Sequence, residues 1–496
     1  MSARRDFSIV YTFIKGLAIS GSLLALTAVS IGQTPSETPP PPGEPPGLTL
    51  PDVKEKTLPN GLKVVVVQRR NVPLVTASLL VRSGASSEQP AKAGVASMTA
   101  DMLPKGTAFA TSTQIAQQID FLGASLGTGA GWNGSSATVT VMTDKLGKAL
   151  SIMSECVVRP TFPAKEVALY KKQAMDGFKV SMKQPGSLLS YVSAVYSFME
   201  HPASGTESTV RRIRRSDLVK YHKTNYVPGN AVLVFTGDIK PETAFGYARL
   251  FFGGWSGEMP PARKSGDAVE TLSERPPTIN RMLVINLPDS GQAAVGFANA
   301  LTTGRLGSKR DFFSATVLNS VLGGGYSARL NQEIRLKRGL SYGARSGFSW
   351  RPGNSTFLAS AQTKNESAAQ VAELVKIEIE KLINESIANT EMVPRKAVVT
   401  GSFGRSLQTN SGLANQLRNL YAFGLDASEL NSFMSSVQEI SANDIKGFAG
   451  NYLSGGDMII VGDASKFMDD LKKRFPDQEV EVIDAAKLKL NRASLK

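Results

Sequence analysis

The chain carries two imidazoles, His201 and His222, and one thiol, Cys156, in 496 residues. Hydrolytic zinc sites need two or three imidazoles converging from defined motifs, so this inventory leaves little room for an independent zinc centre. A single cysteine excludes an internal disulfide framework, a zinc ribbon and a thiolate cluster. Cys156 follows Met153 by one helical turn and Ala149 by two, on the apolar face of a helix expected over Lys145 to Val158, the setting of a buried structural thiol. Gly323-Gly324-Gly325 lacks the Gly-Lys-Ser/Thr ending of a phosphate loop and reads as a helix end. Arg211-Arg212-Ile213-Arg214-Arg215 has no interleaved aromatic residue, so it reads as a solvated face rather than a nucleic-acid-reading surface. No nucleophile stands beside a base in any recognisable motif, which removes support for an autonomous hydrolase.

These residues must be held by a chain long enough for several domains. It has 45 Gly, 26 Pro and a formal charge of +14, a globular composition whose basic excess permits anionic partners without choosing one. Self-comparison finds a repeat. Asn225-Tyr226 opens NYVPGNAVLVFTGD and Asn451-Tyr452 opens NYLSGGDMIIVGD, each a turn followed by an apolar strand ending in Gly-Asp. Two homologous domains follow, at 52–265 and 281–480, with a linker at 266–280 and a basic tail at 481–496. In the first, strands at Leu62 to Gln68 and Val75 to Arg82 precede helices at about Ala91 to Leu103 and from Thr111, the latter with a capping box to Gln114. In the second, strands at Met282 to Asn286 and Ala293 to Ala298 precede a helix at Asp311 to Leu322 and another at about Ala328 to Arg338. The fold class is α+β, a mostly antiparallel sheet covered by helices and used twice.

Arg4, Arg5 and Lys15 precede an uncharged run from Gly16 to Gly32 that ends in small residues, the layout of a secretory signal over 1–32 with cleavage after Ser30 or slightly later. An uncleaved anchor is the alternative, at the short limit for a bilayer span. Residues 33–51, with Pro39 to Pro42 and Pro45-Pro46, read as an extended linker. No other hydrophobic run is long enough to span a membrane, so an exported, periplasmic or otherwise extracytoplasmic body is expected.

The segment AGVASMTADMLPKGT, Ala93 to Thr107, resembles the active helix of the pitrilysin/insulinase family of zinc peptidases, where Gly-x-Ala-His-x-x-Glu-His leads to an apolar stretch and Gly-Thr. TLPNGLKVVVV, RPTFP, HPASGT, NYVPGNAVLVFTGD and YSARLNQEIRLKRGLSYG agree, so the resemblance spans about 55 to 465. It is nearest the two-domain, mitochondrial-processing-peptidase-like branch, whose members pair around a chamber. In that family the motif supplies two zinc imidazoles at i and i+4 and a general-base glutamate. Here those positions hold Ser97, Ala100 and Asp101. The distal glutamate ligand would fall near Asp176-Gly177, where there is no Glu. The resemblance therefore implies no metal in this chain.

It also implies that Arg335 and Tyr342 match the pair that family members direct at the substrate from their C-terminal half. A guanidinium at a helix end and a phenol on the next strand can both donate to a carbonyl oxygen gaining charge. The expected role is a noncatalytic subunit of an exported metallopeptidase, with zinc on a separate His-x-x-Glu-His chain of a heterodimer. Extended peptides would add a strand at Gly127, Thr128 and Gly129. The alternative is a catalytically dead peptide-binding or scaffold protein of the same fold.

Overall fold

The computed structural model describes residues 52–260 and 280–496. The expected signal and Pro-rich linker, and all of the interdomain linker but Asn280, lie outside them. The body contains two six-stranded sheets, ordered β1-β2-β6-β3-β5-β4 and β12-β7-β11-β8-β10-β9, whose topologies match over five strands and differ at the edge strands β1 and β12. The strands of the first are β1 (Val53–Thr57), β2 (Lys63–Gln68), β3 (Leu74–Val81), β4 (Ser125–Ala130), β5 (Ser135–Met142) and β6 (Ala231–Gly237). Those of the second are β7 (Met282–Asn286), β8 (Ala293–Leu301), β9 (Ser341–Ser349), β10 (Ser355–Thr363), β11 (Asp457–Gly462) and β12 (Val480–Asp484). The sequence repeat falls on β6 and β11, each third in its sheet. Each lies parallel to one neighbour and antiparallel to the other. The remaining pairings are antiparallel except β12 with β7, which agrees with the expected α+β class.

The central strands are continuous apolar runs because both sheet faces are covered. Alternate side chains enter different cores, as the two-residue period of a strand requires. Val64, Val66, Leu233 and Phe235 pack with helices of their own half. Val65, Val67, Val232 and Val234 instead pack against Leu413, Ala414, Leu417 and Tyr421, on the helix Asn410–Ala422 of the C-terminal half. The exchange is mutual. Leu188, Leu189 and Val192, on the helix Pro185–Val192 of the N-terminal half, pack on Leu283, Ile285, Ala294, Ile459 and Val461 of the second sheet. Gly296 makes room for this helix, since a Cβ there would stand 2.9 Å from Leu189 Cδ1. Polar contacts pin the exchanged elements: Arg82 Nε donates to Tyr421 O at 3.0 Å, Asn410 Nδ2 to Leu74 O at 2.9 Å, and Tyr196 OH to Glu481 Oε2 at 2.9 Å.

Residues 481–496 are no tail. Val480–Asp484 completes the second sheet beside β7, and Leu495 is fully buried in the core shared with the Pro185–Val192 helix. Burial of Val480, Ile483 and Leu495 outweighs the lysines that made this stretch look solvated. Among the described residues, no helix is long and apolar enough to cross a membrane.

Candidate functional site

The motif helix spans Val95–Met102, shorter than the expected Ala91 to Leu103. Pro90–Lys92 forms a separate 3-10 turn, and Gly94 adopts φ +95°, a left-handed conformation natural to glycine. The freed N-terminal amides are taken by the buried Glu88 carboxylate, which accepts from Gly94 N at 2.7 Å and Ala96 N at 2.8 Å. A carboxylate here also meets the positive end of the helix dipole. His201 Nδ1 lies 3.5 Å from the same carboxylate, and its ring packs on Trp132 at 5.1 Å.

Met98 and Met102 face the core, leaving Ser97 and Asp101 together on a half-buried face at i and i+4. Ala100 is fully buried. Tyr170, on the helix Ala164–Ser181, donates its phenol to Asp101 Oδ2 at 3.0 Å. Burial pushes the Asp101 carboxyl above its ordinary range, while the hydrogen bond from Tyr170, the charge of Lys105 and the Ser97 hydroxyl pull it back. Burial, together with the charge of Asp101, likewise raises the Tyr170 phenol. Gly177 lies seven residues, two helical turns, beyond Tyr170 and is exposed. A Cβ added there meets nothing within 4 Å. Asp176 turns to solvent and pairs with Lys179 at 3.3 Å.

This donor set does not fit zinc. It offers one carboxyl already gripped by a phenol, one hydroxyl and no imidazole, whereas zinc sites take thiolate, imidazole and carboxylate ligands in a tetrahedron. His222 is committed elsewhere: its Nε2 lies 2.7 Å from Val157 O, its ring stacks on Tyr226 at 4.8 Å, and burial lowers its pKa. Cys156 is buried and its thiol is pushed up to about 12 by desolvation, so it carries no nucleophile at neutral pH. No group of three or more His, Cys, Asp or Glu among the described residues is placed to hold a metal. The basic run is structural in part, with Arg215 donating to Phe162 O and Thr161 O at 2.7 and 2.8 Å.

Gly127, Thr128 and Gly129 lie on β4, the outermost strand of the first sheet, hydrogen-bonded to β5 alone. Their free side is an open strand edge, and a Cβ at either glycine would meet nothing within 4 Å. The motif helix packs on this strand.

Arg335 sits in the wide-turned helix Asn331–Leu336, and Tyr342 on β9, the corresponding edge of the second sheet. Asn331 joins the two elements by accepting from Ala344 N at 2.9 Å. The turn between them closes through Leu340 N to Ile334 O at 2.9 Å. The Arg335 guanidinium then lies 4.7 Å from the Tyr342 ring centroid and 4.9 Å from that of Tyr326. Tyr342 is 90% exposed, and its phenol makes no hydrogen bond among the described residues. No hydrogen bond, ion pair or ring contact among the described residues joins this pair to Ser97, Ala100 or Asp101. Sequence reasoning missed Tyr170 and Tyr326; only Tyr326 stood inside a segment carrying the family resemblance.

Two family models match this chain: residues 63–196 match the insulinase family (peptidase family M16), and residues 212–393 match the peptidase M16 inactive domain. An uncharacterized zinc protease of Bacillus subtilis is 22% identical over 404 residues, covering 80% of this chain and 95% of its own length. An uncharacterized zinc protease of Mycobacterium leprae is 27% identical over 298 residues, covering 58% of this chain and 63% of its own. Among solved structures, the peptidase M16 inactive domain of Pseudomonas fluorescens superposes with a TM-score of 0.75 at 27% identity, over 83% of this chain and 98% of its own. A Helicobacter pylori protease shares the fold, with a TM-score of 0.76 at 18% identity over 84% of this chain and all of its own. With family models matching both halves and a solved M16 structure covering 83% of it, the chain belongs to the insulinase family of peptidases, family M16.

Proposed function

We propose that this chain is the zinc-free, substrate-contacting subunit of a divided, exported M16 peptidase. The carrying observation is the contrast between its two ends: a motif helix with no zinc donor set, and an Arg335–Tyr342 pair held together with an exposed phenol. A His-x-x-Glu-His partner would bind zinc and activate water. Arg335 and Tyr342 would donate hydrogen bonds to the scissile carbonyl, whose oxygen gains charge in the transition state. The peptide would lie extended along the open edge of β4, adding main-chain hydrogen bonds at Gly127 to Gly129. The charged-then-apolar N-terminus supports an extracytoplasmic location.

The test is co-purification from the native organism followed by peptide cleavage assays on this chain, the His-x-x-Glu-His chain that accompanies it, and the two together. Cleavage should require both. Full activity of the partner alone, or co-purification only with a complex that has no peptidase, would replace this reading with that of a scaffold.

A further inference from the structure

A cavity of about 510 Å³ opens between the two halves, at the place where the tip of the β4–β5 hairpin meets that of β9–β10. Asn133 Nδ2 donates to Trp350 O across this junction at 2.8 Å. The volume lies in the range of small-molecule sites. Its walls mix aromatic side chains, Trp132 from one half and Phe312, Trp350 and Phe433 from the other, with polar ones such as Gln416 and Asn419. None of the residues assigned above to peptide contact lines it.

Two guanidinium groups line this cavity, and their surroundings differ. Arg351 is neutralised by Glu200, at 2.8 and 3.3 Å, and lies over Trp132. Arg305 is 8% exposed. Its backbone is pinned by Arg305 N to Arg351 O at 2.7 Å and Leu306 N to Pro352 O at 3.1 Å. Its guanidinium rests on the Phe312 ring at 4.0 Å and makes no side-chain hydrogen bond to any described residue. The nearest carboxylate, Glu429, stands 4.0 Å away and is closer to Lys309 at 3.1 Å. Burial lowers the Arg305 pKa, while the charge of Glu429 opposes the shift. A guanidinium that lines a cavity and is hydrogen-bonded to no protein acceptor offers a planar fork of donors, and a carboxylate matches that fork.

We propose that this cavity is a binding site for a carboxylate carried on an aromatic or branched apolar body, with Arg305 as its anion anchor and the aromatic walls enclosing the body. Such a group could come from a free small acid or from the C-terminal residue of a peptide, and the experiment separates the two. The inference stands independently of the divided-peptidase reading, because no step of that reading passes through Arg305.

Trp132 and Trp350 are two of the three tryptophans, so intrinsic fluorescence of the full chain reports on the cavity directly. The titrants are 3-phenylpropionate, its neutral amide, and acetyl-Gly-Gly-Phe with a free or amidated C-terminus. Saturable quenching by an acid, at least tenfold tighter than by its own amide, is expected. Saturation by phenylpropionate alone assigns a free small acid; tighter saturation by the acid peptide assigns a peptide terminus. Arg305→Gln should abolish the preference for acid over amide. Asn419→Phe, an exposed substitution at the mouth that leaves the cores untouched, should abolish quenching even if Arg305→Gln fails to fold. Absence of saturation, equal binding of acid and amide, or unchanged binding in Asn419→Phe would overturn the assignment.

Discussion

Tyr170 donates its phenol to Asp101 at 3.0 Å, so the helix face on which the family resemblance would put paired imidazoles is closed by a tyrosine–carboxyl contact. The stability of this contact depends on pH. Burial raises the Asp101 carboxyl from its ordinary 3.8, and a raised carboxyl favours the fold when protonated and costs stability once ionised. Asp101→Asn keeps an acceptor for Tyr170 and removes that cost. It should raise the thermal midpoint near neutral pH, and the gain should disappear below pH 3.8. Melting curves across that interval check it; a variant less stable than wild type at neutral pH would contradict the assignment.

Zinc content tests the donor set itself. The wild-type protein, equilibrated with zinc and dialysed, should retain far less than one metal per chain by elemental analysis. Ser97→His with Asp101→His restores an i, i+4 imidazole pair, and Gly177→Glu reaches into space that is open in the structure. The triple variant should gain zinc, whereas Gly177→Glu alone should not.

In the proposed two-chain enzyme, Arg335→Ala and Tyr342→Phe should each slow peptide cleavage about 100-fold, the usual loss on removing one donor to a developing oxyanion. Tyr342 is almost fully exposed, so Tyr342→Phe should leave melting and subunit association unchanged. Equal cleavage by wild-type and variant complexes would remove both residues from the chemistry.

The mutual exchange of helices should make the two halves unfold as one cooperative unit. Leu417→Ala empties a fully buried position against the first sheet and should cost about 2–5 kcal/mol. Gly296→Val forces Leu189 from the second sheet and should also destabilise. Calorimetry should show one transition moving in each variant; two transitions, only one of which shifts, would show halves that unfold independently.

Much of this architecture can be read from local pattern. The repeated turn-strand-Gly-Asp marks the third strand of both sheets, and the Thr111 capping box with Gln114 opens its helix as expected. Gly127 to Gly129 sit on an open edge for the reason their composition suggests. Tyr170 was not legible, because a tyrosine on an amphipathic helix is ordinary packing until its neighbour is known to be Asp101. The β12 strand had a weak signal in the alternation of Glu479, Val480, Glu481 and Val482, masked by the lysines that follow. The exchange was invisible for a deeper reason: Val64 and Val65 look alike in sequence, yet one belongs to its own half and the other to a helix some 350 residues away.

That last arrangement limits how such a chain could be divided. A polypeptide consisting of either half alone would present one sheet face of valine, leucine and isoleucine to water, and would carry a helix with no sheet to cover. Two copies of such a half could satisfy each other by trading helices. The duplicated chain thus holds, within one polypeptide, the contacts of a helix-swapped dimer.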